Sequence, residues 1–143
     1  MHFKISKEMK VRVHPDQEKL ISSKDSIVKA CQQEDVIAFD IYKDDFIIGF
    51  AMLRNYCEGC FFLWDYAIDC SFQNQGWGTA ALADLIEFLG KEYSLKKLTT
   101  TYVWGNEHAR HIYEKLGFIE TEIVDEEGCH EVNMFYGEPE GAL

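Results

Sequence analysis

From Phe61 to Trp104 the chain runs apolar strand, glycine turn, apolar helix, strand, and that order admits few architectures. Phe61–Asp69 is rich in aromatic and apolar residues and reads as a strong strand. It leads directly into Gln73-Asn74-Gln75-Gly76-Trp77-Gly78, a turn with two glycines. From Trp77 to Tyr93 the period becomes helical, with Ala81, Leu82, Leu85, Ile86 and Leu89 on one stripe. Leu98–Trp104 then alternates threonine with bulky residues, as a strand does. These later strands are expected to connect by crossing over helices.

The flanking segments complete one domain spanning residues 1–143. Phe3–Ser6 is a short candidate strand. Residues Pro15 to Gln33 read as helical, with Pro15 suited to a first turn and Leu20, Ile21, Ile27, Val28 and Cys31 near helical spacing. Ser22-Ser23 is a point at which that stretch can divide. Val36–Tyr42 and Phe46–Leu53, joined by Lys43-Asp44-Asp45, predict a hairpin. Asn106 is placed to cap a helix whose Ala109, Ile112, Tyr113 and Leu116 share a face, and Gly117 to end it. Phe118–Val124 and Glu131–Tyr136 form a final strand pair around Asp125–Gly128. The expected class is α/β (α+β), a mixed central sheet of six to seven strands flanked by about four helices.

Charge narrows the partners. The chain carries 25 acidic and 14 basic residues, a formal charge of −11. Nucleic-acid affinity comes mainly from Lys and Arg neutralising phosphates, so a nucleic-acid partner is not expected. The same field attracts cations such as small amines, or serves only to keep the protein dispersed. No apolar run approaches the roughly 20 residues of a membrane span, and the N-terminus lacks the apolar stretch of a secretory signal. The expectation is a cytoplasmic protein with no membrane partner. Its five cysteines show no framework spacing, so Cys57-Glu-Gly-Cys60 reads as a turn between strands with free thiols. A redox pair or zinc half-site is the other reading of that motif. His108 and His111 lie three apart on a helix, but no third ligand accompanies them, and no metal is expected.

The glycine turn carries chemistry. A helix N-terminus presents unpaired N–H groups and the positive end of the helix dipole, and glycines let an anion approach them. No Lys or Arg occurs between Arg54 and Lys91, so an anion here would depend mainly on main-chain donors. Arg110 is one candidate for outside help. Glycine needed only for close packing is the competing account of the turn. Tyr113, one helical turn beyond Ala109, is either a core tyrosine or an acid facing a site, and Asn106 either a simple cap or a ligand contact.

The spaced pair resembles the GNAT superfamily of acetyl-CoA-dependent N-acetyltransferases. Its (Arg/Gln)-x-x-Gly-x-(Gly/Ala) signature falls on Gln73-Asn74-Gln75-Gly76-Trp77-Gly78. The later motif falls on Asn106-Glu-His-Ala109-Arg-His-Ile-Tyr113-Glu-Lys-Leu-Gly117-Phe118. Leu63-Trp64-Asp65-Tyr66-Ala67-Ile68-Asp69, with Val-Arg-Val-His-Pro-Asp-Gln-Glu near the start, is similar to bacterial spermine/spermidine (diamine) acetyltransferases. The resemblance implies that Gln73, Asn74, Gln75, Gly76, Trp77, Gly78 and Thr79 cradle the CoA pyrophosphate. It implies that amides of Ala67 and Ile68, at a strand bulge, hold the oxyanion, and that Asn106 contacts the pantetheine arm. Tyr113 would be the general acid, and Asp65, Tyr66 and Glu107 are candidates to relieve the amine of its proton. Asp65 and Asp40 are candidates to hold a distal ammonium. The implied substrates are acetyl-CoA and a small primary amine, with a homodimer left open. Rival readings keep the fold but take a protein N-terminus, amino acid or aminoglycoside as acceptor, or bind CoA without catalysis.

Overall fold

The computed structural model of the chain describes residues 1–137. Seven strands form one sheet: β1 His2–Ser6, β2 Val36–Lys43, β3 Phe46–Cys57, β4 Cys60–Ile68, β5 Lys97–Val103, β6 Ile119–Glu126 and β7 Cys129–Gly137. Their spatial order is β1-β2-β3-β4-β5-β7-β6. Every neighbouring pair is antiparallel except β4 with β5. Between those two runs the helix α2, Trp77–Glu92, which supplies the crossover a parallel pair requires.

Three α-helices occur among the described residues: α1 Lys24–Ala30, α2, and α3 Glu107–Lys115. The amphipathic stripe of α2 packs as its spacing predicts, with Ala81, Leu82, Leu85 and Leu89 fully buried against Phe39, Ile41, Leu53, Leu63 and Leu98. The opposite sheet face carries Ala38, Phe50, Met52 and Ala67, covered by Ile27, Ala30 and Cys31 of α1. Both faces are thus closed, and the sheet's centre is dry.

The stretch from Pro15 to Gln33 divides at Ser22-Ser23, where Ser23 accepts the Ser26 N–H and caps α1. Its two halves differ more than helical spacing suggests. Pro15–Leu20 buries no side chain and winds as a 3-10 helix, leaving Leu20 39% exposed. Without an apolar face to dock, there is nothing to hold a longer α-helix there.

The expectation of free thiols fails at Cys57 and Cys60, which form a disulfide. They are cross-strand partners flanking the Glu58-Gly59 turn of the β3–β4 hairpin, with Cα atoms 5.0 Å apart. Hairpin geometry alone brings the two side chains within bridging range. Cys31, Cys70 and Cys129 are free.

Candidate active site

The site arises where β4 and β5 part. Their parallel pairing runs only from Cys60–Lys97 to Leu63–Thr100. Beyond Leu63, β4 continues to Ile68 unpaired with β5. The cause lies on the other edge: β3 and β4 are in register at Met52–Asp65, then at Leu53–Leu63, so Trp64 is an extra residue. A bulge of this kind bends its strand and increases local twist. The family resemblance implies a bulge at Ala67–Ile68, but the bulge falls at Trp64, since β3 and β4 pair regularly from Gly49–Ile68 through Met52–Asp65.

That register decides which amides are available. Asp69 donates its N–H to the Ile48 carbonyl at 2.8 Å, identifying the hydrogen-bonded side of the ladder. Antiparallel alternation then commits the N–H of Ala67 to β3 and turns those of Tyr66 and Ile68 toward the open cleft. Ala67 contributes wall rather than a donor.

A groove of about 1010 Å³ fills the opening. Asp65, Ala67, Ile68, Gln73, Asn74, Gly76, Gly78, Thr79, Asn106 and Tyr113 line it, so both sequence motifs meet on one surface. Gln75 and Trp77 are outside its wall: Gln75 is exposed and donates to the Ser71 carbonyl at 3.4 Å, while Trp77 packs against the core. Lys19 at the N-terminal wall, with His14, His108 and His111, also borders the groove.

The two signature glycines have different reasons to be there. Gly76 caps α2 at φ +85°, a left-handed conformation, and a Cβ there would meet nothing within 4 Å. Asn74 is left-handed too, at φ 60°. At Gly78 a Cβ would stand 3.1 Å from Ile112 Cδ1, so this glycine lets α2 approach α3. The first helical bond runs from the Ala80 N–H to the Gly76 carbonyl. The N–H groups of Trp77, Gly78 and Thr79 therefore precede the helical ladder, as donors for an anion must. Tyr66 fixes this first turn to β4 by donating its hydroxyl to the Gly78 carbonyl at 2.6 Å. Burial pushes the Tyr66 hydroxyl well above its ordinary pKa, which keeps it protonated as the donor of this bond.

Asp65 and Tyr113 face the groove from opposite sheet faces. Asp65 is 5% exposed; its Oδ1 accepts the Ser22 N–H at 2.9 Å and its Oδ2 is buried with no partner among the described residues. Burial raises its pKa, opposed by the Ser22 hydrogen bonds. Tyr113 is buried and packs on Phe118 with ring centroids 5.2 Å apart, while Thr100 beside it in the groove donates its hydroxyl to the Leu63 carbonyl at 3.1 Å. Its pKa is raised first by burial and further by the charge of Asp65, with Thr100 opposing. A carboxylate made more basic thus stands near a phenol held neutral.

Four expected residues have other partners. Arg110 does not reach the glycine turn: it pairs with Glu114 at 2.9 Å and with Glu107 and Glu120 at 3.5 Å. Those pairs occupy Glu107 as well. Asp40 lies outside the groove, buried, with Oδ2 2.7 Å from Lys10 Nζ. Asn106 lines the groove while its Oδ1 caps α3 through the Ala109 N–H at 3.3 Å. Among the described residues no group of His, Cys, Asp and Glu could hold a metal ion.

Sequence reasoning missed Thr100, Gln17 and Ser22. Thr100 stands out only as a buried polar residue in an apolar strand, and the other two look like ordinary loop residues until the fold brings them to Gln73 and Asp65.

The chain is thus a seven-stranded mixed sheet split at its parallel pair, with the α2 N-terminus at the split. A sequence profile described as the acetyltransferase (GNAT) family matches residues 5–118, and the chain belongs to that family. No curated protein sequence matches the chain significantly. Among solved structures, a GNAT family acetyltransferase from Elizabethkingia anophelis with acetyl-CoA bound is 19% identical with a TM-score of 0.70, covering 96% of this chain and 97% of that one. Spermidine N-acetyltransferase from Vibrio cholerae, in complex with CoA and spermine, is 18% identical with a TM-score of 0.66, over 78% and 71% of the two chains. Aminoglycoside acetyltransferase AAC(6')-Ib, in complex with coenzyme A, is 22% identical with a TM-score of 0.63, over 78% and 70%.

Proposed function

We propose that this protein transfers the acetyl group of acetyl-CoA to a primary amine, a polyamine such as spermidine or spermine. The observation that carries the reading is the pairing of Asp65 and Tyr113 at the open edge of β4, beside the N–H-lined turn at Gly76.

The residues divide the chemistry between them. The amides of Gly78 and Thr79, which line the groove, suit the diphosphate of acetyl-CoA together with the α2 dipole. The outward amides of Tyr66 and Ile68 suit an extended amide-bearing arm and the oxygen of the thioester carbonyl. A polyamine nitrogen arrives mostly protonated, with a pKa near that of lysine, about 10.4. Asp65 Oδ2, raised in basicity by burial, accepts its proton, freeing the lone pair to attack the carbonyl carbon. The C–N bond forms, charge gathers on the carbonyl oxygen, and its collapse breaks the C–S bond. Tyr113 donates its hydroxyl proton to the departing thiolate and regains one from solvent.

A polyamine is favoured by the lining: Asp16, Asp65 and Glu131 face Lys19 around the groove of a chain with formal charge −11. Spermine bound to the Vibrio cholerae relative supports the same class. The experiment is thiol release from acetyl-CoA across spermidine, spermine, a diamine, an aminoglycoside and an N-terminal peptide, with product masses read out. The expected result is acetylated polyamine with a salt-sensitive KM. Release with the peptide or aminoglycoside alone overturns the acceptor, and CoA binding without release for any amine overturns catalysis.

A further inference from the structure

We propose that the Gln17–Gln73 side-chain pair is a mechanical link between the two halves of the groove, so that filling the cofactor turn orders the wall of the acceptor half. The inference rests on reading the Gly76 turn as the CoA site.

Gln73 opens the turn, and its side chain is committed elsewhere. Its carboxamide and that of Gln17 form a closed pair, each Nε2 donating to the other's Oε1 at 2.9 Å. Each end is further anchored. Gln73 Nε2 also donates to the Ile68 carbonyl at 2.9 Å, and Gln17 Oε1 also accepts the His14 N–H at 3.1 Å. The first residue of the signature therefore holds on to the 3-10 segment Pro15–Leu20 and does not point at a phosphate.

That segment has little else to hold it. It buries no side chain, yet Asp16, Gln17, Lys19 and Leu20 form groove wall. The remaining ties are at its flanks. Arg12 donates its N–H to Asp69 Oδ1 at 2.8 Å and accepts from the Cys70 N–H at 2.7 Å, and Ser22 donates its N–H to Asp65 Oδ1 at 2.9 Å. Val13 and Ile21 also pack against the core cluster that includes Ala67 of β4, at either end of the segment. Between them, the described hydrogen-bonded tie from Pro15–Leu20 to the turn is the glutamine pair. The turn itself is built from left-handed residues at Asn74 and Gly76, a shape that ligand contact with the following amides would rigidify. Rigidity passes one peptide back to Gln73, across the amide pair to Gln17, and along the segment to Ser22, which fixes Asp65. Gln17 is thus a positioning residue that acts through Gln73, and through Ser22 on the base. Linkage of this kind typically amounts to a factor on the order of 5–150 and is reciprocal for binding.

The test is hydrogen exchange on wild-type protein and on Gln17→Ala, each with and without CoA, following residues 14–22 and 73–80 separately. Wild type should slow in both segments on adding CoA. The variant, which removes no core contact, should slow in residues 73–80 only. In turnover with spermidine it should raise the acceptor KM more than the acetyl-CoA KM, and Gln17→Glu, which keeps the acceptor oxygen but loses the donor, should fall between. Slowing of residues 14–22 in Gln17→Ala equal to wild type overturns the link, as does wild type that slows only in residues 73–80. No slowing of residues 73–80 in wild type overturns the CoA reading itself, and the link with it.

Discussion

Tyr113→Phe separates a chemical role from a structural one because the structure makes the two costs unequal. The ring is wedged in the core against Phe118, and phenylalanine keeps that packing. What is lost is one buried hydroxyl, worth at most about 0.5–1.5 kcal/mol as a hydrogen-bonding group, part of which returns because the polar group no longer has to be buried. Melting temperature should move by only a few degrees, and CoA affinity should hold because the proposed pyrophosphate donors lie on α2. A general acid, by contrast, contributes roughly 10²–10⁴ in rate, or about 2.7–5.4 kcal/mol of barrier. Wild-type and variant proteins would be compared by thiol release at saturating acetyl-CoA and spermidine, with CoA affinity measured by calorimetry. The account expects kcat to fall across that range with the CoA dissociation constant within about twofold of wild type. The wild-type rate should also fall at alkaline pH above the ordinary tyrosine range, where a raised Tyr113 finally ionises, and the variant should lack that limb. A variant that turns over within a factor of about three of wild type would show that the phenol does not protonate the leaving group.

Gly76→Ala should cost about 1–2 kcal/mol of stability, because its Cβ meets no atom but the backbone is left-handed. Gly76→Val should abolish CoA binding in a protein that still melts cooperatively, and normal affinity by calorimetry would contradict the turn's assignment. Asp65→Asn should lower kcat by roughly 10²–10⁴ while raising the melting temperature at neutral pH. The sign follows from a raised native pKa: stability linked to Asp65 is present at low pH and lost as pH rises through that pKa, so the variant's advantage should vanish on acidification. Equal melting temperatures at neutral pH would mean that Asp65 is better solvated than its partnerless Oδ2 indicates. Gly49→Ala would bring a Cβ to 3.0 Å from the Ala67 carbonyl and 3.1 Å from Ile68 Cδ1, so turnover should fall as β4 shifts. Unchanged kcat in that variant would argue against the Ile68 amide.

What local pattern dictates was readable in the chain. The stripe of α2, the Asn106 cap and the hairpin at Lys43-Asp44-Asp45 each follow from spacing or turn chemistry, and each is found. Tyr113 and Gly76 converge on one groove because a strand–turn–helix–strand order leaves few other arrangements. What went unread depends on register and on partners distant in sequence. One extra residue at Trp64 reverses which amides of β4 face outward, and no composition rule marks it. Gln17 meets Gln73 across 56 residues and Ser22 meets Asp65 across 43, so neither contact leaves a periodic trace. Arg110 looked available because the three carboxylates around it come from both its own helix and β6. Cys57 and Cys60 lacked a framework but not a geometry, since the hairpin turn itself sets them face to face.

In the proposed function, main-chain donors at the start of α2 hold acetyl-CoA with no Lys or Arg in the turn. Calorimetric titration of acetyl-CoA into the wild-type protein at low ionic strength tests it directly. The account predicts saturable heat at one site per chain, lost in Gly76→Val and weakened only modestly by added salt compared with a site built from Lys and Arg. Absence of any saturable heat, or binding that survives Gly76→Val intact, would contradict it.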